Sequence, residues 1–248
     1  MKPGAFYLNV ARANAFELQR TLRRAGQPVD RAEWGTNPQT LEAFYSPFGN
    51  EIVFPAGILQ PPLFDVDADD AANYGAIGSV IGHELTHGFD DSGRRFDARG
   101  NIRDWWTTGD AEHFRQSARR VSAQYAAYRV FDDDTLLVNP TLTLGENIAD
   151  IGGVRLAYAA FERASRGKPA RVVGGLTPEQ RFFVAYALAY RAKLRPEIAR
   201  LQAATDPHGP AHWRVNGPLV NMPEFARAFG CRNGDPMVRA DSVRATIW

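Results

Sequence analysis

The chain has 248 residues, 44% of them hydrophobic, which is enough for one sizeable core or two small ones and excludes a disordered composition. Lys and Arg number 29 against 28 Asp and Glu, so a net charge of +1 provides no field that would draw the chain to nucleic acid or an anionic membrane. Apolar stretches are broken by Gly, Pro or charge well short of the ~20 residues of a membrane span, and the first residues form no signal-peptide core, so neither a membrane contact nor a targeting signal is expected.

In chain order, apolar residues at helical spacing between 6 and 26, among them Leu8, Phe16, Leu18 and Leu22, predict an amphipathic helix. Glu42-Ala43-Phe44-Tyr45-Ser46, a turn at Pro47 to Asn50, and Glu51-Ile52-Val53-Phe54 before Pro55 predict a hairpin. Residues 73 to 87 predict a helix capped by Gly88. Gly75, Gly78 and Gly82 each cost that helix roughly 1 kcal/mol relative to Ala, which makes sense if another backbone packs on that face. A turn-rich stretch over 90–104 precedes a helix from Asp110 to Arg129, which ends before the loop Asp132-Asp133-Asp134. A third helix starts near Leu144. Thr177-Pro178-Glu179-Gln180 is a capping box opening a helix to about Ala203. Residues 206 to 217 read as a loop and Pro223 to Phe229 as a short last helix. The patterning is mainly α with a small β-sheet.

His83-Glu84-Leu85-Thr86-His87 sets two imidazoles four residues apart on one helical face, where both reach a single ion at ~2.0–2.1 Å. Glu84, beside the first ligand, is within reach of a metal's water. A catalytic zinc needs a third protein ligand from elsewhere. Glu146 and Asp150, also four apart, offer one carboxylate for the metal and one to accept a ligand histidine's N–H. His208 and Arg214 are donors suited to the oxyanion that forms when hydroxide adds to a peptide carbonyl. Asp90-Asp91-Ser92-Gly93, with Asp97 beyond, hints at calcium, but turn chemistry explains it more simply.

Together these segments resemble the catalytic part of the neprilysin family of zinc endopeptidases. The resemblance extends over Phe44-Tyr45-Ser46, Asn50 to Pro62, Asn73-Tyr74-Gly75, Ile81 to Asp91, Asp104-Trp105-Trp106, Leu144 to Asp150, Arg195-Pro196-Glu197, His208 to Arg214 and Trp248. It implies a thermolysin-like zinc peptidase domain over residues 34–248, with residues 1–33 the remnant of an N-terminal helical lid domain otherwise missing from the chain. It implies one zinc per chain held by His83, His87 and Glu146, with Glu84 as general base, Asp150 supporting a zinc histidine, and His208 and Arg214 contacting the oxyanion and substrate backbone. The implied substrate is a peptide held along the strand edge near Ile52 to Ala56, in contact with Glu42 and Ala43. A pocket of Ile58, Leu63, Val80, Ala189 and Tyr190 would favour cleavage on the amino side of bulky apolar residues. Glu42 departs from the family's Asn and can only accept hydrogen bonds, which implies altered substrate anchoring. Family members commonly act outside the cytoplasm, secreted or periplasmic. Cys231 stands where the family often pairs with the missing portion, which would leave its thiol unpaired. The competing expectation is a truncated remnant that folds and binds zinc or a partner without turnover.

Overall fold

The computed structural model describes residues 2–131 and 135–247, so the Asp132-Asp133-Asp134 loop and Trp248 lie outside the described residues. The chain divides into two compact units, Met1–Gly35 and Thr36–Trp248. In the first, helix α1 (Phe6–Arg23) stops short of the predicted Gly26, which takes the left-handed conformation at φ 76°. Arg20 and Arg24 of this unit pair with Glu33, and no residue of α1 is buried.

The second unit is mainly α with a small antiparallel sheet. Strands β1 (Phe44–Ser46) and β2 (Glu51–Val53) form the predicted hairpin, with Tyr45 opposite Ile52. The turn closes through Asn50 at φ 47°, a conformation Asn tolerates, and the Tyr45 hydroxyl donates to Asn50 Oδ1 at 3.0 Å.

The predicted 73–87 helix is longer and less regular than its periodicity implies. It opens as α2 (Asp70–Asn73), where Asp69 accepts the Ala72 N–H, widens into a π-helical turn over Tyr74–Gly78, and continues as α3 (Ser79–His87). Two of its glycines mark close backbone approaches. A Cβ on Gly75 would meet the Phe182 carbonyl oxygen at 2.1 Å, and one on Gly82 would meet the Gly153 carbonyl oxygen at 2.5 Å. Gly78 meets nothing closer than 3.5 Å, so the packing argument holds for Gly75 and Gly82 only.

Helix α4 (Thr108–Tyr125) is capped by Thr107 and ends four residues before the predicted Arg129, which instead forms a bridge with Leu137. Helix α5 (Leu144–Ser165) begins where expected and is buried continuously from Asn147 to Val154. Eight successive buried residues, covering every side of the helix, make it the central element, against which α3 packs backbone to backbone.

Downstream, two expectations are corrected. The helix opened by the Thr177/Gln180 capping box, α6 (Pro178–Ala189), does not run to Ala203. Arg195 is extended, as a residue before proline must be, and a separate helix α7 (Pro196–Thr205) starts at Pro196. The stretch predicted as a loop over 206–217 folds from Ala211 into helix α8 (Ala211–Leu219), so Arg214 is a helical residue. Its Pro and Gly residues before Ala211 lie upstream of the helix start, while Pro218 sits near its end, where it removes the N–H that would bond the Arg214 carbonyl. The Tyr186 hydroxyl supplies the replacement donor at 2.6 Å. Helix α9 (Pro223–Phe229) ends at Gly230 in the left-handed conformation.

Two apolar clusters flank α5. Tyr158, Phe161, Phe182, Phe183, Leu219 and Met222 join α5, α6 and the end of α8, while Phe114, Val121, Tyr125, Ile148 and Ile151 join α4 to α5. Each fully buried phenylalanine contributes about 1.5–3 kcal/mol, so the clusters hold α5 at a fixed height against its neighbours.

Candidate metal centre

The crossing of α3 and α5 turns His83 and His87 on one helix toward Glu146 on the other. The two Nε2 atoms are 2.9 Å apart, and Glu146 Oε2 and Oε1 lie 3.2 Å and 3.6 Å from His83 and His87 Nε2. One ligand atom from each of the three residues fits within a 4.8 Å cluster, close enough for a single metal ion. Of the two carboxylates offered by the third helix, Glu146 thus faces the histidines' outer nitrogens and Asp150 lies behind.

Each imidazole is backed by a carboxylate on its other nitrogen. His83 Nδ1 lies 2.8 Å from Asp150 Oδ1, and His87 Nδ1 lies 2.7 Å from Asp90 Oδ2. Both Nε2 atoms face the carboxylate of Glu146, a cluster that a shared cation, a metal ion or a proton, would satisfy. The electrostatics agree. Burial alone would lower the His83 pKa, but Asp150 and Glu146 outweigh it and push it up to about 9, so positive charge is favoured here. Burial would likewise raise Glu146, yet the His83 hydrogen bond and the charges of both histidines hold it below its ordinary value. These residues therefore fit a metal ion.

Asp90 is a site residue that the sequence reading left as turn chemistry. Its Oδ1 does accept the turn N–H groups of Ser92 and Gly93, at 2.8 Å and 2.6 Å, while Oδ2 serves His87. The available signal was its position three residues after His87, with Gly88 ending the helix between them.

Asp150, 1% exposed, is held by Arg214, whose Nε and Nη2 donate to Oδ2 and Oδ1 at 2.9 Å and 2.8 Å. Burial would raise this carboxyl, but the guanidinium and His83 keep it far below the usual range. The Tyr190 hydroxyl also donates to Oδ1, at 3.2 Å, and the Arg214 guanidinium lies 4.8 Å over the Tyr190 ring. His208 Nε2 sits 3.2 Å from Glu146 Oε2, and Asp206 fixes the ring by accepting at 2.7 Å from Nδ1 and 2.9 Å from the backbone N–H. Glu84, 5% exposed, has its carboxyl pKa raised by burial.

Glu84, the metal-facing triad, His208 and Ala43 line one cavity of about 380 Å³. A second of about 510 Å³ is lined by His208, Arg214, Ala189 and Tyr190. The larger cavity of about 1030 Å³ beside the hairpin contains none of these titratable groups. Of the predicted substrate contacts, Ile58 is buried, Leu63 and Val80 are half-buried, and none of these three lines the two cavities at the site. Glu42 is exposed and its carboxylate accepts the Thr36 hydroxyl at 2.8 Å.

Comparison with known proteins places this geometry. The model of peptidase family M13 matches residues 42–245. The chain belongs to peptidase family M13. Among M13 relatives, mouse membrane metallo-endopeptidase-like 1 is 48% identical over 93% of this chain, and Neprilysin-3 of Drosophila melanogaster is 41% identical over 95% of it. The chain spans 30% of the length of each. Among solved M13 structures, the Mycobacterium tuberculosis zinc metalloprotease ZMP1 with an inhibitor superposes at a TM-score of 0.92, at 44% identity, covering 98% of this chain and 37% of that one. Cys231 is a free, partly exposed thiol, and no helix among the described residues is long and apolar enough to cross a membrane.

Proposed function

We propose that this chain is the catalytic part of a zinc-dependent endopeptidase. The observation that carries the reading is the meeting of two imidazole nitrogens and the Glu146 carboxylate, each imidazole backed by its own carboxylate, beside buried Glu84. Two histidines and a glutamate are a catalytic zinc set that leaves a position open for water or substrate. Bound by His83, His87 and Glu146, one zinc per chain supplies Lewis-acid polarisation of the scissile carbonyl and acidifies water.

The protein's own groups do the rest. Glu84 takes the proton of the attacking water and returns it to the departing amine. Asp150 and Asp90 keep His83 and His87 turned so that Nε2 faces the ion. His208 donates to the carbonyl oxygen as it becomes negative, and Arg214 does so with the N–H groups that Asp150 leaves over.

The substrate in this reading is an oligopeptide lying in extended form along the hairpin edge past Ala43. Ala189 and Tyr190, which line the second cavity, would receive a bulky apolar side chain on the carboxyl side of the cut; Ile58, Leu63 and Val80, which line neither cavity at the site, stand outside that pocket. Glu42, an acceptor only, anchors the peptide backbone less firmly than an amide would. In this reading residues 1–33 are the end of a helical lid domain and the peptide is met outside the cytoplasm; the mouse relative is by name a membrane metallo-endopeptidase-like protein.

The test pairs zinc content with cleavage of a quenched-fluorescence peptide in the chain and in Glu84→Gln. The substitution should retain one zinc and lower kcat by about 10²–10⁴-fold. Zinc without cleavage in either protein would favour a binding remnant, and a folded chain without stoichiometric zinc would refute the metal assignment.

A further inference from the structure

Asp150 Oδ1 is the most crowded acceptor behind the metal triad. His83 Nδ1, Arg214 Nη2 and the Tyr190 hydroxyl surround it at 2.8, 2.8 and 3.2 Å, whereas Oδ2 receives Arg214 Nε. A bidentate guanidinium pulls a carboxylate into its own plane, and the fork of Arg214 by itself would set the orientation of Asp150 without regard to His83. The Tyr190 hydroxyl is a donor from the residue that ends α6, outside that fork. Its ring also lies against the guanidinium, so one side chain bears on both members of the ion pair. Burial and the Asp150 carboxylate push the phenol well up, so it remains an O–H donor. Tyr190 also lines the 510 Å³ cavity beside His208 and Arg214, where a pocket residue would only need to be apolar; a hydroxyl bonded to a buried carboxylate serves something else.

We propose that Tyr190 is a positioning residue of the zinc site: its hydroxyl and ring hold the Asp150–Arg214 pair in the orientation that keeps Asp150 engaged with His83 Nδ1. The role rests on the zinc-peptidase reading above, and it reaches the metal through Asp150 and His83 rather than by contact. Tyr190→Phe removes one oxygen and keeps the ring, the cavity wall and the stacking.

The experiment compares the zinc-loaded chain with zinc-loaded Tyr190→Phe in three measurements: zinc release into an excess of chromogenic chelator, kcat and KM on a fluorogenic peptide, and thermal unfolding. The expected result is zinc release faster by about 3–10-fold, a kcat lowered by a similar factor and a KM within about twofold of the parent, the pattern of a lost outer hydrogen bond on a metal ligand. A raised KM with unchanged zinc release would reduce Tyr190 to a cavity wall and overturn the proposal. A lowered melting temperature with zinc release and kcat unchanged would make it a packing residue and overturn it equally. A parent that holds zinc but cleaves nothing defeats the peptidase reading alone, because zinc release still decides the role of Tyr190; a parent that holds no zinc defeats both.

Discussion

His83 and His87 occupy one face of α3, yet their carboxylates come from different places: Asp150 from α5, and Asp90 from the turn just beyond α3. Groups that orient a metal ligand matter nearly as much as the ligand itself, so Asp90→Ala should weaken zinc binding by about 10–100-fold, read by competition with a fluorescent chelator. Asp90→Asn keeps an oxygen for the Ser92 and Gly93 N–H groups; if it too binds zinc weakly, the loss belongs to His87 and not to the turn. These residues also show how far the sequence could be read. His83, His87, Glu146 and Asp150 were visible because helical spacing is a local rule, and the structure brings all four together. Asp90 lies past the helix end, where its direction depends on how the chain turns at Gly88. The bonds from Arg214 and Tyr190 to Asp150 span 64 and 40 residues, and no periodicity records such a pairing.

Among the elements, the crossing of α3 over α5 bears most directly on the site, because Gly82 backs on Gly153 and a Cβ at Gly153 would in turn meet His83 N at 2.6 Å. Gly82→Ala improves intrinsic helix propensity but forces a methyl to 2.5 Å from a carbonyl oxygen that has no rotamer to swing away. Overpacking should win, lowering stability by about 1–3 kcal/mol in denaturant unfolding, and zinc affinity should fall with it as Glu146 is levered from the histidines. A Gly82→Ala chain as stable and as tight for zinc as the parent would show that the helices can part without consequence. The helices after α5 that the sequence reading placed wrongly lie around prolines. Pro196 begins a second helix where a single one was expected to run to about Ala203, and Pro218 is tolerated inside α8 because a tyrosine hydroxyl 28 residues upstream satisfies the carbonyl it strands. Proline reads as a breaker in a sequence; a partner distant in the chain decides whether it breaks anything.

At the scale of the whole molecule, every group of the candidate site belongs to the unit from Thr36 onward, and the M13 match begins at residue 42. A chain starting at Thr36 keeps all of those groups and should therefore bind zinc with an affinity within about twofold of the full chain. Isothermal titration of both chains checks this, and a large loss on truncation would assign residues 1–35 a part in the site. The broad architecture, helices with one small hairpin, was legible from apolar spacing and turn residues, and the start of α6 from its capping box. The division near Gly35 has no comparably plain composition signal.

The triad is carried by two helices whose backbones touch at glycines. In kinetic terms, the donor atoms are already gathered when an ion arrives, so no chain closure stands between encounter and capture. Uptake by the folded protein is then governed by dehydration of the incoming ion, and release by the breaking of bonds rather than by the opening of the fold.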